Sequence, residues 1–208
     1  MPKGSPELTE ARKVEIMEAC KKIYETKTFK EVNLKEIGEV TSFTRTSIYN
    51  YFESKEEIFL RIFEDEYLKW TTDLQEIIDE GELCRDKLAK KLAESLEKRK
   101  LMLKLLSVNL YDMEENSRFD LLVSFKETCW ETVKSFKAVI TKFCKDMNGE
   151  EIESLSLAFF AYLHGIYPYA YATDYQCRAM DQAGMKYKKQ KIYDITKLFF
   201  INIFKEEN

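Results

Sequence analysis

The 208-residue chain is expected to fold as an all-α protein, and three observations carry that expectation. Apolar residues make up 45% of it, enough for a sizeable buried core. Only 6 Gly and 3 Pro interrupt it. Apolar positions recur every three or four residues along most of its length, with few alternating β-branched runs. The pattern predicts about nine helices, in a three-helix head over 1–54 and a larger helical body over 55–208.

Residues 1–8 read as an arm. Ala11 to Tyr24 is the first helix, with Val14, Met17 and Ile23 at helical spacing, and Phe29 is expected to plug the core of the head. Asn33 caps a second helix, and Glu36 stands where a capping box needs its acid. Leu34, Ile37 and Val40 give that helix one buried side. It is about two turns long, because Thr41 and Ser42 break the pattern. Thr44 caps a third helix, in which Ile48 and Phe52, four apart, share the buried side and turn Arg45, Thr46, Tyr49 and Asn50 outward. Ser54 and Glu57 start a fourth helix of about 25 residues, roughly 37 Å long. Gly81 ends it.

In the body, helices are expected over Arg85 to Lys98 and Leu101 to Tyr111, then a turn over 112–117. Phe119 to Met147 reads as one long helix terminated by Asn148 and Gly149. Glu150 to Ala172 is strongly apolar, and Gly165 and Pro168 should kink or interrupt its end. Residues 174–190 read as a polar loop, and Lys191 to Phe204 as the last helix.

Two short helices around a four-residue corner, the second rich in Arg, Thr, Ser, Tyr and Asn, describe a helix-turn-helix. Arg and Asn can engage base edges through two bonds at once, and small hydroxyls let a helix sit deep in the major groove. The run TSFTRTSIYNYFESKEEIF also resembles the signature of the tetracycline-repressor (TetR) family of bacterial transcription regulators. The resemblance is close over Glu10 to Phe63 and holds only in outline beyond. One departure is Ser42, where members usually carry Gly. If the backbone there needs a positive φ, Ser costs about 1 kcal/mol relative to Gly.

The resemblance implies base contacts at Arg45, Thr46, Ser47 and Asn50, with Thr44 beside them and Lys35 at the start of the second helix. It implies phosphate contacts at Tyr49, Tyr51 and Lys55. The blander alternatives are core packing for the two tyrosines and an ordinary surface lysine. It further implies a C-terminal domain that binds a small-molecule effector and dimerises, so that two heads read a palindromic operator on double-stranded DNA. For the dimer face the expected residues are Leu155, Phe159 and Leu163 with Ile195, Phe199 and Ile203, unless these simply cover the chain's own core. For the effector pocket they are Trp70, Asn109, Tyr111, Phe125, Cys129 and Trp130, with Tyr162, His164, Tyr167 and Tyr169. Plain aromatic core is the competing reading, and His164 is the expected polar anchor.

The net charge of −4 does not reject DNA, because an interface needs local rather than total basicity. Residues 1–55 carry ten Lys or Arg against nine Asp or Glu, so weak non-specific affinity is expected. Five scattered cysteines without a C-x-x-C pair, and His164 as the only histidine, argue against a metal site. No nucleophile–base spacing, phosphate loop or paired-carboxylate signature points to catalysis, and no cofactor is expected. Neither a secretory leader nor a long apolar span is visible, which makes a cytoplasmic protein without a membrane partner the expectation.

The sequence therefore predicts a homodimeric DNA-binding regulator, a repressor released by a small molecule. Two alternatives stay open: a regulator responding through a thiol or protein partner, and a helical interaction protein that does not bind DNA.

Overall fold

The computed structural model describes residues 5–107 and 110–204. Among them are eleven helices and no strand. In chain order these are α1 (Pro6–Tyr24), α2 (Leu34–Glu39), α3 (Arg45–Ile48), α4 (Lys55–Asp79), α5 (Arg85–Glu97) and α6 (Lys100–Ser107). They continue with α7 (Leu110–Glu115), α8 (Phe119–Phe143), α9 (Gly149–Ala170), α10 (Asp174–Gln182) and α11 (Ile192–Ile203). The chain forms two compact units, one holding the described residues through Asp65 together with 110–129, the other holding the rest. Helices α4 and α8 each contribute their first half to the first unit and their second half to the second.

The first unit is built on α1, which opens with Ser5 Oγ accepting from the Leu8 amide at 3.3 Å and Pro6 in the first turn. Its inner stripe buries Ile16, Met17, Cys20 and Tyr24. Tyr24 meets Phe59 of α4 edge-on at 4.9 Å, and Phe29 lies 4.7 Å from the same ring, filling the core as expected. Ile37, Ile48 and Phe52 close it from the corner side. Burying each such side chain is worth about 1.5–3 kcal/mol.

In the second unit α5 packs on α11 and α6 on α9. Trp70 is fully buried, and its indole N–H donates to Ser95 Oγ at 3.2 Å, satisfying its one polar atom. Phe136 stacks on Phe159 at 4.6 Å, and Phe200 lies 4.8 Å from Phe159.

Eleven helices stand where about nine were expected: α1 already begins at Pro6 inside the expected arm, and the expected turn over 112–117 is helical as far as Glu115. Three further boundaries also differ from expectation. Asn148 begins a helix rather than ending one. Its Oδ1 accepts from the Glu150 and Glu151 amides, and the Glu151 carboxylate accepts the Asn148 N–H at 2.7 Å, a complete capping box. Helix α9 runs through Pro168 and stops two residues later. Residues 174–182, expected as loop, form α10 behind a second capping box, Thr173 with Gln176. That helix buries none of its side chains, so it has no apolar stripe to read.

Candidate nucleic-acid interface

The corner between α2 and α3 is held from both sides. Asn33 caps α2 by accepting the Glu36 amide at 3.1 Å. The Glu36 carboxylate does not complete the box; it takes Lys27 Nζ at 2.7 Å, and that bond is the main reason its pKa lies below the usual range. At the turn, the Ser42 amide and hydroxyl both donate to Glu15 Oε1 on α1, each at 2.9 Å. The residue that departs from the family pattern thus supplies a bond that glycine cannot make.

Glycine is needed elsewhere, at Gly38. A Cβ there would lie 3.1 Å from the Arg45 nitrogen and 3.2 Å from the Phe43 carbonyl oxygen, both backbone atoms. The missing atom lets the start of α3 rest on α2. An isolated Gly inside a helical pattern, passed over in the sequence, is the feature that could have pointed to this close packing.

Thr44 caps α3, accepting the Ser47 amide at 3.2 Å and sharing a 2.9 Å bond with the Ser47 hydroxyl. These two hydroxyls therefore serve the helix start. Only residues 45–48 are helical, after which the Asn50 and Tyr51 amides bond to the Ser47 and Ile48 carbonyls and continue the chain in tight turns. Ile48 and Phe52 face the core, while Arg45, Thr46, Tyr49 and Asn50 are exposed, as their spacing predicts. The Arg45 guanidinium sits 5.9 Å from the Tyr49 ring centre and donates to its hydroxyl at 3.2 Å.

The two tyrosines part company. Tyr49 is exposed, whereas Tyr51 is half-buried, edge-on to Phe43 at 6.0 Å, with its hydroxyl accepting from Arg12 at 2.8 Å. Lys35 is open to solvent, its side chain 77% exposed and 3.8 Å from Glu39. Lys55 points to backbone carbonyls instead, those of Phe29, Lys30 and Val32 at 2.8, 3.4 and 3.1 Å. Together Lys30, Lys35, Arg45, Tyr49 and Lys55 line one shallow groove of about 660 Å³, in which Glu53 is the only acid. Local basicity is thus gathered where an overall acidic chain needs it.

Two family models match this chain. "Bacterial regulatory proteins, tetR family" covers residues 16–62, and "Tetracyclin repressor-like, C-terminal domain" covers 64–191, more than half of the chain. The chain belongs to the TetR family. Members of the TetR family are DNA-binding transcription factors rather than enzymes.

A Bacillus subtilis (strain 168) protein described as the uncharacterized HTH-type transcriptional regulator YfiR is 40% identical over 63 residues. That stretch is 30% of this chain and 31% of the relative. The fold is similar to that of the fatty acid degradation regulator FadR from Bacillus halodurans, with a TM-score of 0.62 and 12% identity, covering 99% of this chain and 100% of that one. It is equally similar to FadR from Bacillus subtilis in complex with stearoyl-CoA, with a TM-score of 0.62 and 13% identity over 94% and 99% of the two chains. At this identity the likeness speaks for the fold.

The residues expected at the TetR effector pocket differ in burial. Trp70 and Phe125 are core, Phe125 against Phe63 at 5.0 Å. Tyr111, Trp130, His164 and Tyr169 are exposed. Cys129, Tyr162 and Tyr167 are half-buried, and burial pushes the Tyr162 phenol to about 12. Asn109 lies outside the described residues. Among the described residues no cluster of His, Cys, Asp or Glu could hold a metal ion, and no helix is long and apolar enough to cross a membrane.

The residues expected at the dimer face divide by their burial. Leu155, Phe159 and Leu163 are buried within the single chain, Ile195 and Phe199 are half-buried, and only Ile203 is exposed. The open surface of α9 carries Leu157 (76% exposed), Ala158 and Ala161, and that of α11 carries Leu198 (59%). Helix α9 is apolar on both sides, so its periodicity does not reveal which stripe faces inward.

Sequence reasoning also missed the ion pair that fastens the start of α4. The Glu57 carboxylate, 1% exposed, receives Arg118 Nε at 2.7 Å and Nη2 at 3.0 Å, with the Arg118 and Glu53 amides at 3.2 and 2.8 Å. Partners 61 residues apart leave no local pattern.

Proposed function

We propose that this TetR-family chain is a transcriptional repressor that binds a palindromic operator as a homodimer and is released by a small-molecule effector. The observation that carries the DNA-binding reading is the division of α3 and its following turn. Ile48 and Phe52 anchor it, and Arg45, Thr46, Tyr49 and Asn50 are exposed, with Arg45 and Tyr49 lining a basic groove. Arg45 and Asn50 read base edges, and Lys30 and Lys35 neutralise phosphates. With so few uncommitted cations per head, non-specific affinity is low and the salt slope is modest.

Dimerisation through the outward faces of α9 and α11 supplies two heads for two half-sites. The effector acts in the second unit. Because α4 is one continuous helix belonging to both units, displacing its second half is felt in its first. Release then follows from unequal affinity of the effector for the bound and free states. The stearoyl-CoA held by the similarly folded Bacillus subtilis protein supports an effector with a long acyl chain for this body too.

The test is selection of host genomic fragments by the full chain, followed by binding titrations over a range of salt. Salt-dependent binding to a sequence with two-fold symmetry is expected. Binding that is undetectable, or insensitive to salt, overturns the reading.

A further inference from the structure

We propose that Lys55 is a positioning residue that sets where the reading helices sit, and that it is not a phosphate contact. This rests on the DNA-binding reading above. A lysine ammonium offers three N–H donors and no acceptor. Here three carbonyl oxygens converge on it, from Phe29, Lys30 and Val32. The nitrogen also lies 4.8 Å from the centre of the Phe29 ring, which is itself buried against Phe59.

Those carbonyls belong to the turn that leads into α2. The Glu31 and Val32 amides bond back to the Thr28 carbonyl, so the turn's free carbonyls point away from its start, as at a helix C-terminus, where a cation is favoured. Asn33 follows immediately and caps α2. Lys55 is the first residue of α4. One side chain therefore joins the entry of α2 to the start of α4, and α3 is tied to α2 through the close approach at Gly38. A phosphate could recruit this ammonium only by stripping it from bonds that fix the turn.

The experiment compares the wild-type full chain with Lys55→Met and Lys55→Arg. The specific probe is a duplex selected by wild type from a randomised pool, and the non-specific probe has the same composition in scrambled order. Both variants are expected to lose about 10-fold or more of the specific-to-non-specific ratio. In Lys55→Arg, which keeps the charge, non-specific affinity and the salt slope should stay at the wild-type values. Arginine should not rescue, because a planar guanidinium cannot meet three carbonyls converging on one point. A uniform loss on both probes, with a salt slope flatter by about 0.9 per head and recovery in Lys55→Arg, overturns the proposal.

A second measurement does not depend on DNA. The ¹⁵Nζ ammonium resonance of Lys55 in the free chain should be protected from water exchange at neutral pH. An absent or fast-exchanging signal overturns the proposal. Failure of the wild type to select any duplex sinks the DNA-binding reading instead, and leaves the resonance to judge Lys55.

Discussion

Replacing Arg118 with Met isolates the energetics of the buried ion pair at the start of α4. The substitution removes two charge-assisted bonds, at 2.7 and 3.0 Å, and leaves the Glu57 carboxylate with backbone amides alone. Breaking a buried pair from one side costs about 3–5 kcal/mol. Arg118 is itself 41% exposed, and a cavity of about 250 Å³ lined by Glu57 and Arg118 admits water, so about 2–3 kcal/mol is the expected loss. In a chain of this size that lowers the thermal midpoint by about 5–10 °C. Removing both charges, as Glu57→Gln with Arg118→Met, should cost less than Arg118→Met alone.

The pH dependence carries a second signature. Desolvation pushes the Glu57 pKa up, but the Arg118 and backbone hydrogen bonds outweigh it and leave the folded value below 4.5. The stabilisation is therefore complete above that unfolded value and is lost as pH falls through the lower folded one. In the variant only the two backbone amides oppose desolvation, and the folded pKa rises. Its deficit is then largest at neutral pH and shrinks on acidification below about 4.5. Thermal unfolding followed by circular dichroism across pH reads both effects. A midpoint within about 1 °C of wild type at neutral pH, or a deficit that grows on acidification, refutes the reasoning.

Four further outcomes are expected. Arg45→Ala should weaken binding to the selected duplex by about 1–3 kcal/mol without changing the helical signal; equal affinity across operator variants removes Arg45 from the reading set. Ser42→Gly should lose about 1 kcal/mol of stability, because the hydroxyl bond to Glu15 goes and chain entropy rises; a higher unfolding midpoint would mean that serine is strained there. Leu157→Asp with Leu198→Asp should give a folded monomer in sedimentation velocity, and a surviving dimer would move the interface elsewhere. Among the thiols, exposed Cys84 should react quickly with a disulfide reagent. Buried Cys20, pushed up to about 12 chiefly by desolvation, should stay silent until the chain unfolds, and early labelling contradicts its burial.

What could be read from the sequence tracks how local the cause is. The caps at Asn33, Thr44 and Ser54, the 25 residues of α4 and the outward set Arg45, Thr46, Tyr49 and Asn50 each depend on neighbours within four positions. Asn148 was visible but ambiguous, since an Asn-Gly pair serves either end of a helix. Helix α10 had a legible start at Thr173 and no apolar stripe to extend it. The inward phase of α9, the Glu57–Arg118 pair and the carbonyls around Lys55 depend on partners far away in the chain. No periodicity encodes them.

Helix α3 is a single turn of four residues. Initiating a helix is unfavourable, and so short a segment cannot offset that in water on its own. Its shape is borrowed from the gap above Gly38 and from the burial of Ile48. A synthetic peptide spanning 33–52 should therefore be unstructured, and grafting those letters onto another scaffold should transfer no recognition. The smallest portable piece must bring α1 and the first turns of α4 with it.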